Sequence, residues 1–308
     1  MAETPPPTLA HRLEDMAVGG LSFVLRFLPE VLAQGLGWVL GWTAGSILRV
    51  RRATVDANLA RAFPDRDPAW RRRVARRVFP HIGREAVTLL RLPALGPETL
   101  RERTRVEGFE VVQEAVSGDQ GCIFLTGHVG NWEVGGGATA VRGIPLDVVA
   151  RRQKNSLVDA RLRATREALS MGVIYRENAV REVLRSLRGG RCVALAADQN
   201  EPRAGIFVDF FGVPASTARG PALFAARTGA PVVLAFGLRE PGWRARYVVR
   251  FQRLEVLRSG DPQRDEPALT RAYLAALEEV IREVPEQYFW PHRRWKTRPV
   301  TSEPAESS

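Results

Sequence analysis

The sequence predicts an α/β fold, a sheet flanked by helices, preceded by a membrane-associated N-terminal helix. Three observations carry this expectation. From Gly108 onward, short apolar runs alternate with amphipathic stretches, the pattern of strands and covering helices. Residues 31–48 hold no charge and are just long enough to cross roughly 30 Å of hydrocarbon. One apolar run ends in GHVGNWEVGGG (127–137), a polar, glycine-rich motif at the place where α/β sheets usually carry ligands.

The elements follow in order. The first ten residues are polar and proline-rich and do not read as a cleavable signal peptide. In 31–48, Gly37, Gly41 and Gly45 recur every four residues, a spacing that lets helices approach closely. The basic run RVRR (49–52) follows, and such flanks mark the cytoplasmic side. Three placements are open for this helix: a single span, an interfacial helix, or a buried core helix. Residues 70–92 predict an amphipathic helix with arginines crowded on one face, bounded by Pro64 and Pro68. Beyond it, 108–120 predicts a helix, 122–126 a strand, 131–143 a helix despite its glycines, and 145–152 a strand. Residues 156–172 predict a helix and 173–175 a short strand. A helix at 179–190 is closed by its glycine pair, and 191–198 is a strand. GIFVDFFG (205–212) is an apolar hairpin or loop. STARGPALFAARTGA (216–230) is a helix capped by Ser216 or Thr217. Strands at 231–240 and 244–256 and a long helix at 265–284 complete the pattern. The expected organisation is an N-terminal membrane-associated segment (1–52), one catalytic domain (53–300) and a tail (301–308) disordered by composition.

Composition narrows the function. The chain has 45 basic and 34 acidic residues, a net charge of +11, and almost all its bases are arginine. Such a surface suits anions: phosphates, acidic lipid headgroups or an acidic protein. No nucleic-acid module or aromatic-basic strand platform accompanies the charge, so a nucleic-acid partner is not expected. Cys122 and Cys192 lie in apolar runs without a CxxC pattern and read as buried thiols of a reducing compartment. His11, His81, His128 and His292 do not cluster, and no metal is expected.

The chemistry concentrates at 127–137. His128 stands at a strand end and Glu133 follows in an H-x4-E spacing. A carboxylate that holds one imidazole nitrogen fixes the tautomer and stabilises the imidazolium, which makes a general base for a hydroxyl. No G-x-S-x-G elbow is present, so the hydroxyl belongs to a substrate. The glycines lack the spacing of a dinucleotide or phosphate loop. They leave room for a ligand, and the helix start offers N–H groups to an oxyanion.

TGHVGNWE resembles the signature of the bacterial lipid A biosynthesis late acyltransferases. ANLARAFPD (57–65), ARRQKN (150–155), AADQN (196–200), residues 207–233 and PEQYFWPHRRWKTRP (285–299) resemble further family segments in the same order. The resemblance covers nearly the whole chain. It implies a glycerolipid-acyltransferase-like mixed sheet flanked by helices and an N-terminal membrane helix. It places the protein at the cytoplasmic face of the inner membrane. The implied reaction is acyl transfer from an acyl-carrier-protein or acyl-CoA thioester to a hydroxyl of a lipid, with a lipid A precursor as the default acceptor. No cofactor and no acyl-enzyme are implied.

Carried over residue by residue, His128 is the base and Glu133 its partner, with Asp198 as the alternative partner. Arg151 and Arg152 match a basic position for an acceptor phosphate or a phosphopantetheine, and Arg219 is a similar candidate. Asn131 supports the turn or donates to the oxyanion. Trp38 and Trp42, with Arg293, Arg294 and Trp295 of the final block, are candidate lipid contacts, the final block reading equally as a packed terminal segment. Residues 207–211 and 221–233 are candidate walls for an acyl chain. A lysophospholipid or other glycolipid acceptor, and a nonenzymatic anionic-lipid-binding protein, are the alternative readings.

Overall fold

The computed structural model describes residues 6–118 and 120–299; the expected tail at 301–308 lies outside them. Four helices open the chain: α1 (Leu9–Phe27), α2 (Glu30–Trp42), α3 (Arg52–Ala62) and the long α4 (Pro68–Glu102). The α/β part then runs β1 (Thr104–Glu107), α5 (Phe109–Ala115), β2 (Ile123–Thr126), α6 (Trp132–Ala140), β3 (Leu146–Ala150), α7 (Ser156–Ala168) and β4 (Met171–Tyr175). It continues with α8 (Ala179–Arg188), β5 (Cys192–Ala196), β6 (Gly205–Phe210), β7 (Val213–Ala218), α9 (Gly220–Thr228), β8 (Val232–Arg239), β9 (Tyr247–Leu254) and α10 (Pro262–Glu283).

Seven strands form one mixed sheet in the order β1-β9-β8-β2-β5-β3-β4, and β6 and β7 form a separate antiparallel hairpin. Only the β8–β9 pairing within the large sheet is antiparallel. Alternate residues of the central strand feed two cores. Ile123 and Leu125 join one with α8, α9 and α10, and Phe124 joins the other with α5 and α6. Burial on both faces explains why these strands read as unbroken apolar runs.

Local chemistry sets several boundaries. Asp67 caps α4 by accepting from the Trp70 N–H at 2.8 Å, with Pro68 at the first helical position. That helix outruns its expected end at Leu92 and reaches Glu102 across a kink at Gly96, where φ is +69°. The cap expected at Ser216 or Thr217 is corrected: both lie in β7, paired with β6, and α9 starts after Arg219 without a side-chain cap. Strand pairing claimed residues that local propensity assigned to a helix start. The short edge strand β1 and the helix α1 were not legible as elements.

Gly37 and Gly41 of α2 do meet a neighbour closely. A Cβ on Gly37 would lie 2.7 Å from the Gly83 carbonyl oxygen of α4, and one on Gly41 would collide with the Phe79 carbonyl. Gly83 is the reciprocal contact. We predict that Gly83→Val pries α2 from α4 and lowers the melting temperature in detergent by roughly 5 °C. An unchanged melting curve would refute this close crossing.

The outer faces of α1 and α2 are left unburied. Of the 22 large hydrophobic side chains exposed among the described residues, 17 lie between Leu9 and Val50. Trp38 and Trp42 are among them and stack with ring centroids 6.4 Å apart. Among the described residues no single helix is long and apolar enough to cross a membrane; only the bent pair Glu30–Ile47 and Arg52–Ala62, turning by 87°, qualifies by length and composition.

Candidate active site

β2 and β5 are adjacent and parallel, with Thr126 opposite Ala196. Two residues beyond each lie His128 and Asp198. Equal overhangs from neighbouring strands bring the two side chains together. Asp198 accepts twice from His128: its Oδ2 from the peptide N–H at 3.0 Å, and its Oδ1 from ring Nδ1 at 2.7 Å. Asp198 is 1% exposed.

Burial pushes the Asp198 carboxyl upward, but the facing His128 charge and the hydrogen bonds from His128 outweigh it and hold the group at about 2. Burial likewise lowers His128, and the Asp198 charge and hydrogen bond overcome it, so His128 titrates above its ordinary value. An ionised carboxylate only accepts, so Nδ1 carries the proton and Nε2 is free as an acceptor.

The loop bearing His128 is clamped from both sides. The Phe289 N–H donates to the His128 carbonyl at 2.8 Å, and the Gly130 N–H to the Gln287 carbonyl at 3.0 Å. The Asn131 N–H donates to the Gly237 carbonyl at 2.7 Å. Gly130 has φ +62°, and a Cβ there would collide with the Gly237 carbonyl, so this close approach needs glycine. Trp132 sets its ring edge-on to the imidazole, with centroids 4.8 Å apart. The final block of the chain thus braces the loop from behind.

The structure corrects several assignments made from residue types. Glu133 does not meet the His128 ring. It lies in the first turn of α6, turned toward α7, where Arg166 holds it with two bonds of 3.0 and 2.5 Å. Asp198 occupies the place beside the imidazole. Of the two readings for Asn131, the structure shows turn support: its Oδ1 caps α6 by accepting from the Val134 N–H and its Nδ2 donates to Glu85. Arg294 is buried, donating to the Ser216 carbonyl and to Thr217 Oγ1, and Trp295 packs in the core. Neither is available as a lipid contact, whereas Arg293, Trp38 and Trp42 are exposed.

The substrate-binding candidates sit apart from one another. Arg151 is exposed and lines a cavity shared with His128. Arg152 is exposed and lies 3.8 Å over the Tyr175 ring. Arg219 pairs with Glu266 at 2.6 Å and lines a different cavity. Sequence reasoning missed Arg166, Glu85 and Arg239. Glu85 carried a signal, as the sole acid between Trp70 and Leu92.

Three cavities converge on this edge of the sheet. One, of about 340 Å³, opens at His128, Arg151 and Arg166 and continues between the sheet and α6. Its apolar lining comprises Phe124, Leu146, Val148, Ala194 and Val249 from the sheet, with Gly135 and Gly136 from α6. A second, of about 170 Å³, reaches His128 from the side of α4 and includes His81, Leu89 and Phe289. The third, of about 600 Å³, holds Asn200, Arg176 and Arg219 beside Pro221, Leu223 and Phe224. Of the expected acyl walls, part of 221–233 lines this third cavity. Phe210 and Phe211 are buried in the core and wall none of the three.

Comparison with known proteins places these features. The profile of the family described as bacterial lipid A biosynthesis acyltransferase matches residues 9–297. The lipid A biosynthesis lauroyltransferase of Escherichia coli (strain K12) is 26% identical over 292 residues, 92% of this chain and 91% of that protein. The palmitoleoyltransferase of the same strain is 27% identical over 278 residues, covering 89% and 88%. A phosphatidylinositol mannoside acyltransferase of Mycolicibacterium smegmatis is 30% identical over 232 residues, covering 72% and 74%.

Proposed function

The chain belongs to the bacterial lipid A biosynthesis acyltransferase family and is an acyltransferase; from that premise, we propose that it moves a fatty acyl group from a thioester donor to a hydroxyl of a membrane lipid. The observation that carries this reading is the His128–Asp198 pair beside a 340 Å³ cavity with a long apolar wall. The acceptor hydroxyl donates to Nε2 of His128. As its oxygen attacks the thioester carbonyl, His128 takes the proton and Asp198 stabilises the imidazolium. The first-turn N–H groups of α6, Trp132 and Glu133, lie at the positive end of that helix and serve the oxyanion. When the intermediate collapses, the C–S bond breaks, and the thiolate takes the proton from His128. The acyl group passes directly to the lipid, with no acyl-enzyme.

The donor chain takes the 340 Å³ cavity, and the thioester's carrier, acyl-carrier protein or coenzyme A, meets the basic mouth at Arg151 and Arg152. Arg219 and Arg176 suit an anionic part of the acceptor in the third cavity. A lipid A precursor is the first acceptor to test. The 30% identical phosphatidylinositol mannoside acyltransferase supports a different glycolipid as the second. The apolar outer faces of α1 and α2 seat the protein in the cytoplasmic leaflet of the inner membrane, as an interfacial platform.

Purified protein in micelles, given acyl-carrier-protein and coenzyme A thioesters with a lipid A precursor, a mannosylated phosphoinositide, a lysophospholipid or no lipid, tests this by lipid mass spectrometry. Acylated product with one acceptor supports the reading. Lipid binding without product in any arm contradicts it. Gly136 tests the chain site: a Cβ there would lie 2.9 Å from Met171 Sδ and within 4.0 Å of Leu146 and Val148. Gly136→Val should lower transfer of hexadecanoyl relative to decanoyl donors by about tenfold in a competition assay. An unchanged ratio would remove the chain from this cavity.

A further inference from the structure

We infer that Glu85 is a positioning residue, whose buried carboxylate holds Asn131 and through it sets the loop that presents His128. Its Oε2 accepts from Asn131 Nδ2 at 2.7 Å and from the Tyr247 hydroxyl at 2.6 Å, and its Oε1 accepts from Arg239 Nη1 at 2.7 Å. Three elements thus converge on one carboxylate of α4: the start of α6, the end of β8 and the start of β9. Asn131 spends its other side-chain atom capping α6 and gives its peptide N–H to Gly237. It stands three residues after His128 and immediately before Trp132, whose ring abuts the imidazole. Releasing Asn131 therefore frees the helix start, the Trp132 ring and the His128 loop together. The network also reaches α2: Arg239 Nη2 donates to Gln34 Oε1 at 2.7 Å, and Gln34 Nε2 to Thr88 Oγ1 at 3.0 Å.

The charges around Glu85 fit this role. Burial pushes it upward, and what offsets that at neutral pH is the Arg239 charge with the Tyr247 and Asn131 hydrogen bonds; His81, 3.8 Å away, adds to this only when protonated, and its own burial lowers its titration. The group is held ionised and acts as an acceptor alone. A glutamine would keep the shape and turn one acceptor into a donor.

A reciprocal exchange tests the link. The variants are Glu85→Gln, Asn131→Asp, the two combined, and Asn131→Ser, which keeps a helix cap but lacks the amide donor. The substrate-free readout is the titration of the His128 ring by NMR in histidine-labelled full-length protein, where four histidines are assigned with the help of His128→Ala. Each single variant loosens the His128–Asp198 pair, and in the charge-neutral Asn131→Ser, where no added carboxylate opposes the effect, His128 should titrate at lower pH. Turnover should fall about tenfold or more with the donor KM unchanged. In the combined variant the amide introduced at position 85 donates to the carboxylate introduced at position 131, and both readouts should recover toward wild type. Should Glu85→Gln fail to fold, Asn131→Ser and the combined variant decide the matter. Wild-type titration in Asn131→Ser, or a combined variant that merely sums the single effects, overturns the inference. Turnover rests on the acyl-transfer reading and the titration does not. An inactive wild type with the expected titrations would sink that reading alone.

Discussion

Replacing His128 by alanine should reduce acyl transfer by roughly 10³-fold or more while leaving the fold in place. The ring is the sole imidazole paired to Asp198, and His128 lines both the 340 Å³ and the 170 Å³ cavities. Removing it leaves binding and oxyanion contacts but nothing to take the hydroxyl proton. The backbone bond from residue 128 to Asp198 survives the change, which favours a folded variant. The measurement is lipid product against time, with a melting curve to verify folding. Loss of activity with an unchanged KM for donor is the expected split, since ground-state contacts to the chain are untouched.

Asp198→Asn should cost roughly 10²- to 10⁴-fold, and it should move the acid limb of the pH–rate profile. As the base of the proposed mechanism, His128 acts only when unprotonated. Asp198 raises its titration against the opposing effect of burial, so wild-type activity should climb with pH through a value above the ordinary imidazole range. An uncharged asparagine removes the charge term, and the limb should shift to lower pH while the plateau drops. A limb that stays in place would assign it to another group. Stability carries the same signature with two signs. Asp198, depressed to about 2 from 3.8, contributes stability that is present above its ordinary value and lost as pH falls toward 2. His128, raised, contributes stability that is present at low pH and lost as pH rises through its folded value.

Much of the α/β half was legible because its strands are short apolar runs buried on both faces, alternating with amphipathic helical stretches. His128 was legible through its place at a strand end, the H-x4-E spacing and the resemblance carried by TGHVGNWE. Its partner was not. Whether Glu133 or Asp198 meets His128 depends on which strand lies beside β2, and periodicity carries no information on strand order. The pairing of Thr126 with Ala196 decides it. Arg294 shows the same limit in a charged residue: its type suggested a surface, whereas the open carbonyl of Ser216 and the hydroxyl of Thr217 gave it an interior place. The uncharged run at 31–48 was visible in the sequence, but its close packing on α4 through Gly37, Gly41 and Gly83 and the 87° turn between Ile47 and Arg52 were not, since both depend on which helix lies alongside.

The most direct test of direct transfer by His128 is a rapid-quench experiment with a labelled acyl thioester, with and without the lipid acceptor, followed by intact-protein and lipid mass spectrometry. Label should leave the donor only when lipid is present and should appear on lipid at once. No acylated protein should form at any time, and no transfer should occur in His128→Ala. Acylated protein that forms without lipid and later delivers its label to lipid, or undiminished transfer in His128→Ala, would contradict it.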